Sequence, residues 1–211
     1  MLYGCAAPEE IFPDWGALPV EVEIGPGRGA FALDYAAQHG DRLLVAIETR
    51  RADCELIRGR AGKRGLRNLE VLQGDAKLLL PRLFPPASLA AVHVQFPDPW
   101  WKTRHHKRRM IDVELAALLR RLLAPGAQVD FRTDVPAYFR EAVQTWLEAG
   151  FVQLPETAPE VLSTRERRYA VTGQPVFRAA FENPAADLSA ADLAQTTSDR
   201  TGRDWRDVRR K

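Results

Sequence analysis

The stretch VEVEIGPGRG, residues 20–29, predicts a short buried strand at about residues 20–24 that enters a glycine-rich turn. The next segment, AFALDYAAQHG at residues 30–40, places apolar residues at helical spacing and stops at a glycine. A strand, a glycine turn and a helix in this order are typical of an open α/β sheet. In such sheets the ligand binds beyond the carboxyl ends of the strands, so the turn marks the predicted binding edge.

The alternation of strands and helices continues along the chain. Further strands are predicted over RLLVAIE, LEVLQGDA, SLAAVHVQFPDPW and AQVDFRTD, and helices over residues 51–64, 76–83, 112–126 and 136–150. Two late strands, FVQL and PVFRAAFE, are predicted to pair as a hairpin with no helix between them. We therefore predict an α/β fold, with a doubly wound, mostly parallel, seven-stranded, Rossmann-like sheet.

Length and composition predict one domain, over residues 1–183, followed by a polar C-terminal tail over residues 184–211. No apolar run reaches the roughly 18 residues of a membrane span, and the first residues do not form a secretory signal. Cys5 and Cys54 fit no metal spacing and no disulfide framework. We expect a cytoplasmic protein without a membrane or metal association, and nothing implies an obligate protein partner.

Positive charge is clustered, although the formal net charge is only +2. Basic residues concentrate at 50–67, 102–109, 165–168 and 200–211. Any one such run is often a solvated face, but several in one small domain favour an anionic partner.

Acidic residues follow or end the first three predicted strands. Glu48 ends the second strand, where a carboxylate can accept from both hydroxyls of a ribose. Asp75 ends the third strand and can accept from the amine of an adenine or cap the next helix. Glu23 lies just before Gly25 and Gly27, and a buried acid there needs a partner such as an ammonium group. Together these residues indicate a nucleoside with a methionine tail, S-adenosylmethionine.

The fourth strand ends in FPDPWWKTRHHKRR, residues 96–109. Asp98 lies between two prolines that stiffen the turn. The basic residues after it would neutralise RNA phosphates, and Trp100 or Trp101 would either stack on an unstacked base or pack over the turn. His105 and His106 lack a third ligand at suitable spacing, so we do not predict a metal site.

These motifs resemble a known family. EIGPGRG, IETR, GDA, FPDPWWKTRHHKRR, TDVPAYF and STRERRY occur in the order seen in bacterial tRNA (guanine-N7-)-methyltransferases, across roughly residues 15–182. The resemblance implies a class I S-adenosylmethionine-dependent methyltransferase that acts on N7 of guanosine 46 in the tRNA variable loop. The alternatives are methylation of another RNA site or of a small molecule.

The resemblance also implies roles for individual residues. Glu23, Glu48, Asp75 and Asp98 would contact the cofactor, with Asp98 also catalytic. Substrate contacts would come from Lys102, Asp134, Thr164, Arg165 and Glu166, although TRER stands where the family has Thr-x-aromatic-Glu. Asp134 could also cap the helix that follows it. Asp98 could either stabilise the cationic product guanine or position the base by accepting from its N1–H and N2 amine.

Overall fold

A computed structural model of the chain describes residues 18–101, 104 and 109–185. The strands are β1 (Val20–Ile24), β2 (Leu43–Glu48), β3 (Leu69–Gln73), β4 (Leu89–Gln95), β5 (Leu123–Thr133), β6 (Val152–Gln153) and β7 (Phe177–Glu182). They form one sheet in the order β3-β2-β1-β4-β5-β7-β6. The five strands β1 to β5 pair in parallel, whereas β7 runs antiparallel to both of its neighbours. The predicted fold class is confirmed.

The helices cover both faces of this sheet. They are α1 (Ala30–Gln38), α2 (Arg51–Lys63), α3 (Ala76–Leu83), α4 (Val113–Leu122), α5 (Pro136–Glu148) and α6 (Thr164–Thr172). The face covered by α1, α2 and α6 is called the near face. The far face, covered by α3, α4 and α5, holds the larger apolar core.

The sequence of β1 divides its side chains between these two faces. Val20, Val22 and Ile24 join the far-face core. Because side chains alternate along a strand, Glu21 and Glu23 point to the near face. Both acids are buried, so the near face has a polar layer beneath its helices.

The prediction of a helix-free pair of late strands was wrong in one respect. β6 and β7 do pair antiparallel, but α6 lies between them in the chain. The sequence did carry a signal for this helix: Ser163 and Glu166 form a capping box, with Ser163 Oγ accepting from Glu166 N and Glu166 accepting from Ser163 N.

The boundary between α4 and β5 also differs from the expectation. The helix predicted to continue to a Pro-Gly stop ends at Leu122, and β5 begins at the next residue. Leu123 is buried and pairs with Leu89 of β4, so strand pairing takes over before the glycine. Gly126, at φ 79°, then accommodates the irregular start of the strand.

Within the described residues, no helix is both long and apolar enough to cross a membrane. The domain boundary at residue 183 stays a prediction, because the structure describes only two residues beyond it.

Candidate cofactor and substrate site

The glycine loop after β1 leaves an open space beside its backbone. Gly25 and Gly27 have φ angles of 71° and 54°, and a Cβ on either would meet no atom within 4 Å. Gly29 differs, because a Cβ there would approach Ile57 to 2.5 Å. The first two glycines therefore allow a ligand to approach the backbone, while the third lets α1 pack against α2.

Glu48 ties this loop to the end of β2. Its Oε2 accepts from Gly27 N at 3.0 Å, and its Oε1 accepts from Arg50 N at 2.9 Å and from Thr49 Oγ1 at 3.0 Å. The carboxylate is thus fixed at the carboxyl end of the strand, where the sequence predicted a ribose contact.

Glu23 is the most unusual group in the site. Its side chain is buried, with 1% of the residue exposed, and its Oε2 has no hydrogen-bond partner within the described residues. Burial raises the pKa of Glu23 to about 8, although the positive charges of His93 and Arg132 oppose this shift. A buried acid with a free carboxylate oxygen of this kind is suited to bind a cationic group of a ligand.

Asp75 occupies the helix N-cap position that the sequence allowed for it. Its Oδ1 accepts from Lys77 N at 2.9 Å, while the residue remains exposed at the end of β3. The N-cap interaction is thus present, and the adenine contact stays a prediction.

Asp98 is exposed in a turn with unusual backbone angles. Phe96 and Trp100, on either side of it, adopt φ angles of 50° and 47°, which non-glycine residues rarely take. Phe96 N donates to Arg132 O at 2.8 Å, which fixes the start of the turn to β5. Such strain is stored at functional sites when the surrounding structure holds it in place.

The predicted substrate segment lies against this turn. Asp134 accepts from Tyr169 Oη at 2.5 Å and lies 3.6 Å from Arg165 Nη1. The Arg165 guanidinium stands 5.1 Å from the centre of the Phe96 ring, which meets the Tyr169 ring edge-on. The fold therefore brings Asp134, Arg165 and the turn of Asp98 together.

Asp134 and Thr164 can also be compared with their predicted roles. Asp134 does not cap α5, because Val135 occupies the N-cap position of that helix and no side-chain cap hydrogen bond is present. Thr164 is exposed at the first position of α6, as a substrate contact requires. Lys102 lies outside the described residues, as do His105 and His106.

Glu166 points inward rather than toward the turn. It is 2% exposed, and its oxygens accept from Arg132, Arg178 and the backbone of Ser163, each within about 3 Å. Its carboxylate thereby holds the start of α6 against β5 and β7. A substrate contact by Glu166 stays a prediction.

Comparison with known proteins identifies the family of this chain. A family model described as "Putative methyltransferase" matches residues 17–179. A tRNA (guanine-N(7)-)-methyltransferase of Anaeromyxobacter dehalogenans (strain 2CP-C) is 50% identical over 182 residues, which cover 80% of this chain and 90% of that protein. The chain belongs to the tRNA (guanine-N(7)-)-methyltransferase family. A member of this family from Myxococcus xanthus (strain DK1622) is 44% identical over 189 residues, covering 84% of this chain and 92% of its own.

Solved structures with the same fold include other methyltransferases. The aminoglycoside resistance methyltransferase NpmB1 has a TM-score of 0.62 at 20% identity, over 85% of this chain and 94% of its own. The 16S rRNA methyltransferase KamB has a TM-score of 0.61 at 20% identity, with the same coverage. At these identities the likeness concerns the fold alone. The family and the fold together imply S-adenosylmethionine as the methyl donor.

A network of buried charged side chains, which no sequence pattern indicated, lies beneath the site of this family member. His93 Nε2 lies 2.9 Å from Glu21 Oε2, and the Arg132 guanidinium binds Asp130 at 2.7 Å. Burial alone would lower the pKa of His93, but the carboxylates of Asp130, 3.6 Å from its Nδ1, and of Glu21, 2.9 Å from its Nε2, outweigh burial and raise the pKa to about 9. His93 is therefore charged at neutral pH, and the network alternates acid and base across β1, β4 and β5.

Cys54 belongs to the packing of the near face. Its thiol is buried and points to Glu48 O and Leu72 O at 3.5 and 3.9 Å. Burial raises the pKa of this thiol, which disfavours the thiolate that a nucleophile requires.

Proposed function

We propose that this protein transfers a methyl group from S-adenosylmethionine to N7 of guanosine 46 in the variable loop of tRNA. The observation that carries the proposal is the buried Glu23, whose Oε2 has no hydrogen-bond partner among the described residues, beside an open glycine loop. The turn of Asp98 and the start of α6 lie near the same edge of the sheet. Membership of the tRNA (guanine-N(7)-)-methyltransferase family supports the substrate. Because bacterial tRNA is cytoplasmic, the proposal places the protein there.

The proposed cofactor fits the residues at the carboxyl ends of β1 to β3. Glu23 would hold the ammonium of the methionine tail, and Glu48 would accept from the ribose hydroxyls. Gly25 and Gly27 leave room beside the backbone, and Asp75 is exposed for the adenine amine. When bound, S-adenosylmethionine supplies a methyl group that its sulfonium already activates.

The remaining chemistry requires little acid-base catalysis from the protein. N7 of neutral guanine carries a lone pair and no proton, so no general base is needed to expose it. The product guanine is cationic, and the Asp98 carboxylate would stabilise that developing positive charge. Asp134, Arg165 and Thr164 would hold the base and its backbone in line with the methyl group.

The proposal is tested by methyl transfer to unmodified tRNA transcripts. We expect label from S-adenosylmethionine to enter a transcript with guanosine 46 and not one with adenosine 46. Transfer to both transcripts would place the reaction at another RNA site. No transfer to either, with cofactor binding intact, would instead favour a small-molecule substrate.

Cofactor affinity is expected to depend on the ionisation of Glu23. Because the pKa of Glu23 is about 8 without a ligand, the acid is mostly protonated at pH 6 and must lose its proton to pair with an ammonium. The dissociation constant of S-adenosylmethionine should therefore fall about tenfold or more between pH 6 and pH 7.5. Titration calorimetry in buffers of different ionisation enthalpy would detect the released proton.

Glu23→Gln is the matched variant for this prediction. It should weaken cofactor binding by about 10- to 100-fold, since a charge-assisted contact is lost, and should flatten the pH dependence of that binding.

Without cofactor, Glu23→Gln should stabilise the folded protein rather than weaken it. A buried acid with a raised pKa loses stability as pH rises from 4.5 toward 8, so the variant should melt higher than wild type at pH 8. Equal pH dependence in both proteins would contradict the assignment.

A further inference from the structure

Two basic runs that are distant in the sequence meet on the near face of the molecule. Asp34 of α1 accepts from Arg64 Nη1 at 2.7 Å and from Arg167 Nη2 at 2.5 Å. Arg64 follows α2, whereas Arg167 lies in α6. The single carboxylate of Asp34 thus joins the run at residues 50–67 to the run at residues 165–168.

This junction keeps a net positive charge. Burial alone would raise the pKa of Asp34, but hydrogen bonds from Arg167 and Arg64 outweigh it and hold the pKa below its usual value. One ionised carboxylate between two guanidinium groups leaves one positive charge unbalanced. Lys63 and Arg168 flank the junction and are exposed.

The basic surface continues to the cofactor site. Arg60 Nη1 donates to the carbonyl of Arg28, which lies between the last two glycines of the loop. At its other end, α6 begins with Thr164 and Arg165 beside Asp134. The surface, called the α2–α6 surface, consists of six exposed cations: Arg28, Arg60, Lys63, Arg64, Arg167 and Arg168.

Among the described residues, the far face has no comparable excess of positive charge. Its helices mix signs: Lys77 pairs with Asp112, and Arg109 pairs with Glu141 of α5. Among the described residues, positive charge is therefore concentrated on the side of the molecule where the loop and α6 reach the site. A surface spread over two helices and a loop suits a polymer of phosphates better than a small ligand.

We propose that the α2–α6 surface binds backbone phosphates of tRNA outside the methylated loop, and so sets the direction in which the tRNA lies across the near face. This inference rests on the proposed function, which supplies the tRNA. Phosphate contacts of this kind fix position and orientation and carry little sequence information.

The test uses charge reversal at two exposed positions of this surface, neither of which is a predicted site residue. Lys63→Glu with Arg168→Glu changes one cation on α2 and one on α6. The matched control, Arg82→Glu with Arg121→Glu, makes the same change in net charge with exposed arginines of the far-face helices. Binding of an unmodified tRNA transcript is measured by fluorescence anisotropy at several salt concentrations, with cofactor affinity and turnover measured on the same preparations.

We expect the test pair to weaken tRNA binding by about tenfold or more at moderate salt. The slope of log affinity against log salt concentration should become shallower by about one to two, which corresponds to one to two fewer counterions released on binding. The control pair should change binding by no more than about threefold, through long-range repulsion alone. Cofactor affinity and turnover at saturating tRNA should stay unchanged in both. Equal losses in the two pairs, or no loss in the test pair, would overturn the inference.

Wild-type behaviour separates this inference from the proposed function. If the wild type methylates tRNA and the test pair binds as tightly as wild type, the surface is a solvated face and the function stands. If the wild type binds tRNA without methylating it while the test pair alone loses affinity, the surface stands and the function fails. If the wild type does not bind tRNA at all, both are wrong.

Discussion

Replacing Asp98 by alanine is expected to lower methyl transfer to tRNA by about 100- to 1000-fold, the usual loss when one electrostatic group is removed from around a transition state. Asp98 is exposed in the turn after β4, so the substitution creates no cavity. The far-ultraviolet circular dichroism and the melting temperature should therefore stay close to those of wild type. Single-turnover rates at saturating cofactor and tRNA measure the loss directly.

Asp98→Asn distinguishes the two roles of this carboxylate. If Asp98 mainly stabilises the cationic product, the neutral amide should be almost as slow as alanine. If it mainly positions guanine as a hydrogen-bond acceptor, the amide oxygen should recover part of the rate. If Asp98→Ala methylated tRNA as fast as the wild type, Asp98 would have no role in the mechanism.

Arg132→Met is expected to destabilise the folded protein by about 3–5 kcal/mol, because it leaves buried acids without their cation. The Arg132 guanidinium binds Asp130, Glu166 and the carbonyl of Val161, and the residue is 5% exposed. Urea unfolding followed by circular dichroism would show the change. For a chain of this size the melting temperature should fall by about 10 °C.

Arg178→Met is the matched control. Arg178 also donates to Glu166, at 3.0 Å, but its side chain is 26% exposed. Its loss should destabilise the protein by only about 1 kcal/mol, since water can replace a partly exposed partner. The double variant Arg132→Met with Glu166→Gln should recover part of the stability by removing one stranded charge. An Arg132 variant no less stable than the Arg178 variant would contradict the importance of the network.

The strands and helices that could be predicted are those that depend on residue spacing within one short segment. The repeated change from strand to helical spacing defines β1 to α3, and the acids at the carboxyl ends of β1 to β3 follow from the same pattern. The position of β7 could not be predicted this way. Its place beside β5 depends on contacts between residues more than 40 positions apart, such as Val129 with Phe181.

The site residues also divide into those that local sequence could predict and those that depend on the three-dimensional fold. Glu23 and Glu48 could be predicted because each stands near the end of its own strand. The partner of Asp134 could not, because Tyr169 lies 35 residues further along and reaches it only through the placement of α6. The capping box at Ser163 would have revealed the helix, but the pairing of its tyrosine needs the three-dimensional fold.

The insertion of β7 between β5 and β6 has a consequence for synthesis on the ribosome. β5 has β4 on one side, but its other neighbour, residues 177–182, is made last among the described strands. Until that segment leaves the exit tunnel, one edge of β5 has unpaired backbone groups, and the two residues of β6 have no strand to pair with. An open edge of this kind recruits other chains. Nascent chains that stall before residue 177 should therefore aggregate or bind chaperones, whereas chains released after residue 182 can close the sheet.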